Sequence, residues 1–354
     1  MDLNFWKNKK VFITGSSGFK GSWLTFWLIK LGADVCGYSL SKNENNLLFN
    51  KLKIEKNSEQ IFADIRDFEN LKKSINKFKP EIIIHMAAQS LVRESFEKPI
   101  YTFETNIIGT ANLLEISKQL NNIKSILVIT SDKCYENVEK NISYKETDKM
   151  GGHDPYSASK GCTEIISASY YRSFFKDRND VSLATARAGN VIGGGDWAID
   201  RLIPDFVRAI KNKSPLEIRY PNSLRPWQYV LEPLRGYLML IEKQHENKSK
   251  FSEAWNFGPY EENTISVKKL IDNLNLLIKN KLKINYSTKI EYHEAGILKL
   301  DSSKASKLIK WDPLLNLDTS LKYTIEWYLA YLDNEDIELF TLNQIHKYEE
   351  AIHK

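Results

Sequence analysis

The stretch "VFITGSSGFKGSWL" constrains this chain more than any other. A short apolar strand runs into Gly15, Gly18 and Gly21 and passes directly into a helix, where Trp23, Trp27 and Leu31 fall at i, i+4 and i+8. Gly32 stands where a C-cap glycine belongs. Glycines at this spacing allow a tight turn and a close backbone approach to a pyrophosphate. The helix N-terminus adds N–H donors and a positive dipole end. The strand-then-helix unit repeats. "ADVCGYSL", "EQIFADI", "EIIIHMAA", "KSILVITS" and "VSLATARAG" read as further strands. "FENLKKSINKF", "YTFETNIIGTANLLEISKQL" and "DPYSASKGCTEIISASYYRSFF" read as helices, the last with Asp154 as N-cap and Pro155 in its first turn. Such alternation predicts an α/β fold, a Rossmann-like doubly wound parallel sheet. Unbroken apolar runs such as "EIIIHM" suit strands buried on both faces.

Beyond about residue 190 the regularity weakens. "GNVIGGGDWAIDRLIPDF" is glycine-rich and then helical, and "RPWQYVLEPL" and "AWNFGP" are short strand-like pieces. We expect a nucleotide-binding domain over 1–190 that also carries catalytic residues. A smaller mixed α/β lobe, mainly for substrate, is expected over 191–354, with no clean linker and the chain crossing between lobes. A length of 354 residues with 42% hydrophobic content supports a core of that size. The last 35 residues alternate aromatic and charged side chains at helical spacing and are expected to cover the sheet or the lobe.

Several classes are set aside. A net charge of +5 without a run of five basic residues does not argue for nucleic acid, but it suits an acidic small substrate. The start "MDLNFWKNKK" lacks the apolar core of a signal peptide. No apolar run approaches the ~20 residues that span a membrane. Three scattered cysteines, Cys36, Cys134 and Cys162, suggest reduced thiols in a cytoplasmic protein. The six histidines form no HxxxH pair, so no metal site is expected.

The second strand lacks the acid that usually holds the adenosine ribose: it ends "GYSL", offering Ser39, while Asp34 is at its wrong end. Only Lys42 follows, so this strand does not choose between NAD and NADP. At the end of the third strand Asp64 would accept from an adenine amino group, with Ile65 giving a backbone donor; alternatively Asp64 and Asp67 cap the next helix. Ala87 and Ala88 would let a flat ring lie against the backbone, or simply pack. "YSASK" places Tyr156 and Lys160 at i and i+4 on one helix face. The lysine ammonium, with an oxidised nicotinamide, would lower the phenol below its usual ~10, so that tyrosine takes a proton as hydride leaves the same carbon.

Together "FW", "GFKGSWL", "GYSL", "HMAAQSLVR", "TSDKCYEN", "YSASKGC", "RAGNVIGGGDWAIDRLIPD", "RPWQYVLEPL", "WNFGP", "HEAGILKLD" and "WDP" cover essentially the whole chain. They resemble the extended short-chain dehydrogenase/reductases that act on nucleotide sugars, and among them the CDP-glucose 4,6-dehydratase family. The glycine loop and YxxxK mark only the superfamily; "SDKCY" and "GNVIGGGDW" are more specific. The resemblance implies a tightly held NAD. It adds Phe19, Gln89 and Asn106 to the cofactor residues, and it weakens the objection of the missing acid, which that branch also lacks.

The implied chemistry explains "SDK". Related dehydratases read Thr-Asp-Glu where this chain reads Ser131-Asp132-Lys133. Hydride leaves sugar C4, the 4-ketone acidifies C5–H, water departs from C5–C6, and hydride returns to C6. Asp132 is then the general acid at O6, Ser131 a hydrogen-bond partner of the C4 oxygen, and Lys133 either the C5 base or a group that orients a water. Asn190 and Arg225, and more weakly Arg201, are implied at the substrate phosphates. Trp197, Trp227 and Tyr229 line the pocket or fill the lobe core. The family pairs through helices near 100–121 and 156–175, implying a homodimer or homotetramer, and serves bacterial O-antigen deoxysugars. The alternatives are a nucleotide-sugar epimerase or reductase, a dehydratase for another nucleotide, and a non-catalytic NAD-binding regulatory module.

Overall fold

Seven parallel strands make the central sheet of this computed structural model, which describes residues 1–40, 47–278, 282–286 and 296–352. They are β1 (Lys10–Thr14), β2 (Asp34–Ser39), β3 (Glu59–Phe62), β4 (Ile82–His85), β5 (Ser125–Ile129), β6 (Ser182–Ala188) and β7 (Ala254–Phe257). Their spatial order is β3-β2-β1-β4-β5-β6-β7. The order reverses between β1 and β4, where Thr14 pairs with His85. Ligands of open α/β sheets bind at such a reversal, beyond the carboxyl ends of the strands. The expected doubly wound fold is therefore the fold observed. Its first six strands lie where the sequence places them. β3 is shorter than expected, because the chain turns from Asp64 to Asp67 into the next helix.

Side chains alternate across the sheet, as a period of two requires. Val11, Ile13, Ile82, Ile84, Leu127 and Ile129 face one core. Phe12, Ile83, Ile126 and Val128 face the other. The second face is covered by α2 (Phe68–Phe78), α3 (residues 99–117) and α4 (Pro155–Tyr170). α3 contains a wide π turn at Glu104–Ile108, and α4 runs into another at Tyr171–Phe175. Asp154 caps α4, its side chain accepting from Ser157 N at 2.9 Å.

The first face carries α1 (Phe19–Lys30) and much of the later chain. That later chain supplies α5 (Leu202–Asn212), α6 (Leu231–Glu246), α7 (Val267–Leu277), α8 (Leu317–Leu332) and α9 (Ile337–Ile352). One continuous core joins them to the sheet. The terminal helices close over α1 and the glycine-rich segment. Trp327 of α8 leaves no room for a side chain at Gly194, whose added Cβ would lie 2.0 Å from its ring. Trp27 of α1 donates to Glu349 at 2.8 Å and meets Tyr348 edge-on. The short strand pieces pair locally, Val191–Ile192 with Gln228–Tyr229 and Leu224–Pro226 with Thr264–Ser266. Lys42 and the start of "HEAGILKLD", His293 to Ala295, lie outside the described residues. Among the described residues no helix is long and apolar enough to cross a membrane, and no cluster of metal-ligating side chains occurs.

Candidate active site

The carboxyl ends of β1 to β5 open into a cleft of about 1380 Å³ shared with the later part of the chain. Its floor is the loop between β1 and α1. Gly15 has φ +74°, and a Cβ there would come 2.7 Å from Ala87 N. A Cβ on Gly21 would lie 2.0 Å from Gly15 O, so this glycine lets helix and loop touch. Gly18 caps α1 without a side-chain hydrogen bond, which leaves the first-turn N–H groups of the helix to an incoming acceptor. Phe19 lines the cleft beside it.

Ser39, at the end of β2, does more for the loop than the sequence suggested. Its Oγ accepts from Ser17 N at 3.0 Å and is hydrogen-bonded to Ser16 Oγ at 3.0 Å, so it pins the loop while still lining the cleft. The two acids of "ADIRD" divide the roles considered for them. Asp67 caps α2 through Asn70 N, whereas Asp64 lines the cleft. Hydrogen bonds from Arg66 hold the Asp64 carboxyl below its ordinary value against the opposing effect of burial. Ile65, Ala87 and Ala88 line the same wall. Gln89 and Asn106 do not. They are buried behind it, where Gln89 N donates to Asn106 Oδ1 at 2.8 Å and Asn106 Nδ2 donates to Ser159 Oγ at 2.8 Å. Their hydrogen bonds tie the end of β4 to α3 and α4.

The residues expected to be catalytic gather where β5 ends. Ser131 caps a single turn over Asp132–Cys134, accepting from Lys133 N and donating to Asp132 Oδ1 at 2.8 Å. Asp132 is 2% exposed, and its other oxygen has no partner among the described residues. That oxygen lies against Gly189, where a Cβ would approach to 2.8 Å. Ser131 lies close enough to the Tyr156 phenol to counter part of the effect of its burial. Phenol, hydroxyl and carboxylate line the same cleft. Lys160 stands one turn after Tyr156 and donates to Ile129 O at 3.3 Å. Lys133 also lines the cleft.

The lowering expected of Tyr156 depends on Lys160 together with an oxidised nicotinamide; in the chain by itself burial acts the other way. Burial pushes Tyr156 up to about 12; Ser131 and Arg201 oppose this, and Asp132 adds to it. Lys160 is pushed down to about 8 by burial and by the neighbouring Lys20. Lys20, which drew no attention in the sequence, lines the cleft too.

Asn190 lines the cleft with a buried Nδ2 that lacks a partner among the described residues. Arg225 is 9% exposed and donates to Leu224 O and Gly296 O. Arg201 donates to Asp196 at 2.8 Å and Ser90 at 3.1 Å, and its charge reaches Tyr156. Arg201 lines the same cleft as Tyr156. Asp200, with φ 64°, accepts from Arg93 at 3.0 Å and Arg219 at 2.8 Å at the cleft wall. No short-range pattern announces that cluster, since its members are far apart in sequence. Trp197 and Trp227 line the cleft, whereas Tyr229 is core, bonded to Gln344.

A dinucleotide fits these residues. The loop is sterically reserved for glycine, the α1 amides are uncapped, and polar atoms of Asp132 and Asn190 remain unpartnered. Residues 12–324 match the GDP-mannose 4,6 dehydratase family model. A CDP-glucose 4,6-dehydratase of Salmonella typhimurium is 46% identical, with 99% of each chain covered. Two solved structures share the fold. A UDP-glucose 4-epimerase of Thermotoga maritima has TM-score 0.79 and 24% identity, covering 91% of this chain and 99% of that one. A dTDP-glucose 4,6-dehydratase of Bacillus anthracis in complex with NAD has TM-score 0.77 and 21% identity, covering 93% and 98%.

Proposed function

Because this chain belongs to the GDP-mannose 4,6 dehydratase family, we propose that it converts CDP-glucose to CDP-4-keto-6-deoxyglucose and water, with NAD as its cofactor. The observation that carries this reading is Asp132. Oxidation at C4 needs only Tyr156, Ser131 and Lys160, but loss of water needs an added acid. A buried carboxylate with one unpartnered oxygen lies beside them.

When bound, the dinucleotide supplies a hydride acceptor that becomes the hydride donor, so no reductant is consumed. Tyr156 takes the O4 proton and Ser131 holds that oxygen. Burial favours the protonated phenol in the chain by itself, so Tyr156 acts as base only after losing its own proton; the Lys160 ammonium and a positive oxidised ring would favour that phenolate, which then takes the O4 proton as hydride leaves. Lys160 holds the dinucleotide beside Tyr156. Asp132 gives its proton to O6 as the C6–O6 bond breaks, and Lys133 removes the C5 proton or orients the water that does so. Gly15, Gly18, Phe19 and Gly21 receive the pyrophosphate; Ser39, Asp64, Ile65, Ala87 and Ala88 border the adenosine half. Asn190 and Arg225 face the sugar diphosphate, with Arg201 between it and the reacting centre; guanidinium suits phosphate geometry. Residues 191–354 are mainly the substrate lobe.

Two copies pair through α3 and α4, where Ile100, Ile108 and Ile165 are exposed, with Phe174 exposed in the π turn that follows α4. The product supplies deoxysugars for O-antigen of lipopolysaccharide, made in the cytoplasm.

Incubation with CDP-glucose and no added reductant tests the activity by mass spectrometry. The expected product is lighter by one water, with no net NADH; an isomer of unchanged mass would mean epimerisation. Asp132→Asn is expected to slow water loss by at least ~100-fold while C4 oxidation, read as transient NADH absorbance, survives. Equal loss of both steps would remove Asp132 from the acid role.

A further inference from the structure

Gly189 follows β6 directly and lines the cleft, half-buried, just before Asn190. Its φ is outside the left-handed region, so the backbone there does not call for glycine. What calls for it is space. β5 and β6 are parallel neighbours, with Ile129 beside Ala186, and both chains leave the sheet at the same end. Thr130 N donates to Ala186 O at 2.9 Å, which holds the two exits together. Just beyond them Asp132 meets Gly189. A Cβ on Gly189 would lie 2.8 Å from Asp132 Oδ2, 3.3 Å from Asp132 Cγ and 3.7 Å from Pro226 Cγ. The backbone has little freedom to retreat, because Gln228 N donates to the next carbonyl, Asn190 O, at 3.1 Å. The Asp132 carboxyl is therefore what would move. At Gly15, by contrast, an added Cβ meets backbone atoms of Met86 and Ala87 and would disturb the loop itself.

We propose that Gly189 is a positioning residue for the loss of water, its missing side chain leaving the space that the Asp132 carboxyl needs in order to meet O6. The inference rests on Asp132 as the acid of the dehydration given above. Asp132 Oδ1 accepts from the Ser131 hydroxyl at 2.8 Å, which leaves Oδ2 for the substrate. A methyl at position 189 drives that oxygen away until ordinary contact, near 3.4 Å, is restored. The step it disturbs is a proton transfer. The Asp132 proton goes to O6, the C6–O6 bond breaks with its electron pair on oxygen, and the C5–H pair becomes the C5–C6 double bond as the C5 proton leaves. No oxidant or reductant enters. None of the three atoms nearest that methyl belongs to Tyr156, Ser131 or Lys160, so oxidation at C4 is spared.

The test compares the full-length chain with Gly189→Ala, Asp132→Ala and the double variant. Stopped-flow absorbance of reduced nicotinamide on mixing with CDP-glucose reads C4 oxidation, and mass spectrometry reads loss of water. Gly189→Ala is expected to slow water loss by at least ~10-fold, so that reduced nicotinamide accumulates, while the denaturant midpoint does not fall. With Asp132→Ala there is no carboxyl to displace, so adding Gly189→Ala should change water loss by no more than about twofold. A further tenfold loss would show that the methyl crowds the sugar directly, and would overturn the proposal. A second readout needs neither substrate nor dinucleotide. The carbon NMR signal of the Asp132 carboxyl, assigned by its absence in Asp132→Asn, is expected to move in Gly189→Ala; a signal that stays in place overturns the proposal. If Gly189→Ala does not fold, the double variant is expected to fold, and its failure to do so is the overturning result. Water loss slowed by Asp132→Ala but not by Gly189→Ala defeats this proposal alone. Water loss untouched by Asp132→Ala defeats the acid reading, and this proposal with it.

Discussion

His85 shows how a single residue can fix the floor of the cleft without carrying charge. Its Nδ1 lies 2.7 Å from Thr14 Oγ1 and its Nε2 lies 3.0 Å from Thr110 Oγ1, so the ring joins β1, β4 and α3. Burial, then Lys160, push its pKa down to about 3, from an ordinary value near 6.5. The unfolded chain therefore binds a proton that the folded chain refuses. This contribution to stability is complete above pH ~6.5 and is lost as pH falls toward about 3, at about 1.4 kcal/mol per pH unit. His85→Gln is expected to lose stability at pH 7 but to lose less of what remains on acidification. Urea unfolding at several pH values reads the difference, and parallel curves would show that His85 is not the titrating group. At this scale the sequence revealed some residues and hid others. The glycines were legible because a turn tolerates little else. Lys20 was not, because its neighbours Asp132, Lys160 and Arg201 lie more than a hundred residues further along the chain.

At the scale of elements, α4 matters most, since it holds both Tyr156 and Lys160. Glu164 anchors it one turn further on. Its carboxylate accepts from Arg187 Nε at 2.9 Å, Arg187 Nη2 at 2.8 Å and Thr185 Oγ1 at 2.6 Å, and from the Thr130 hydroxyl. The cluster joins α4 to the end of β5 and to β6. Burial alone would raise the Glu164 carboxyl, but Arg187 and the hydroxyls hold it below its ordinary value. Glu164→Leu would strand the Arg187 charge. The expected cost is about 3–5 kcal/mol, seen as a lower denaturant midpoint. Glu164→Leu with Arg187→Met should recover much of this, since burying neither charge can be better than burying one. A double variant as unstable as the single one would show that the carboxylate contributes chiefly by its other bonds. Helix periodicity and the Asp154 cap made α4 readable, but its closing π turn was not. Such a turn is decided by what lies against the helix, and hydrophobic spacing does not record it.

For the whole molecule, the exposed apolar residues of α3 and α4 bear on assembly. Ile108 is 52% and Ile165 57% exposed in the isolated chain. Large apolar side chains clustered on neighbouring helices suit a partner copy better than water. Ile108→Glu with Ile165→Glu is expected to convert a dimer to a monomer in sedimentation velocity. A parent chain that sediments as a single 41.0 kDa species would reject the pairing.

The sequence alone determined the alternation of strands and helices, the strand-to-glycine-loop start and the pairing of Tyr156 with Lys160. Each of these is a pattern within a few residues, where backbone sterics and side-chain period leave few choices. Tertiary structure decided which distant groups share one cleft. It brought β7 into the sheet begun by the first strands, set Asp132 against Gly189, put Gln89 and Asn106 behind the wall, and seated Lys20 among Asp132, Arg201 and Lys160. Those outcomes depend on packing between segments far apart in the chain. Burial and charge at any one residue are then set by groups that its local sequence does not contain.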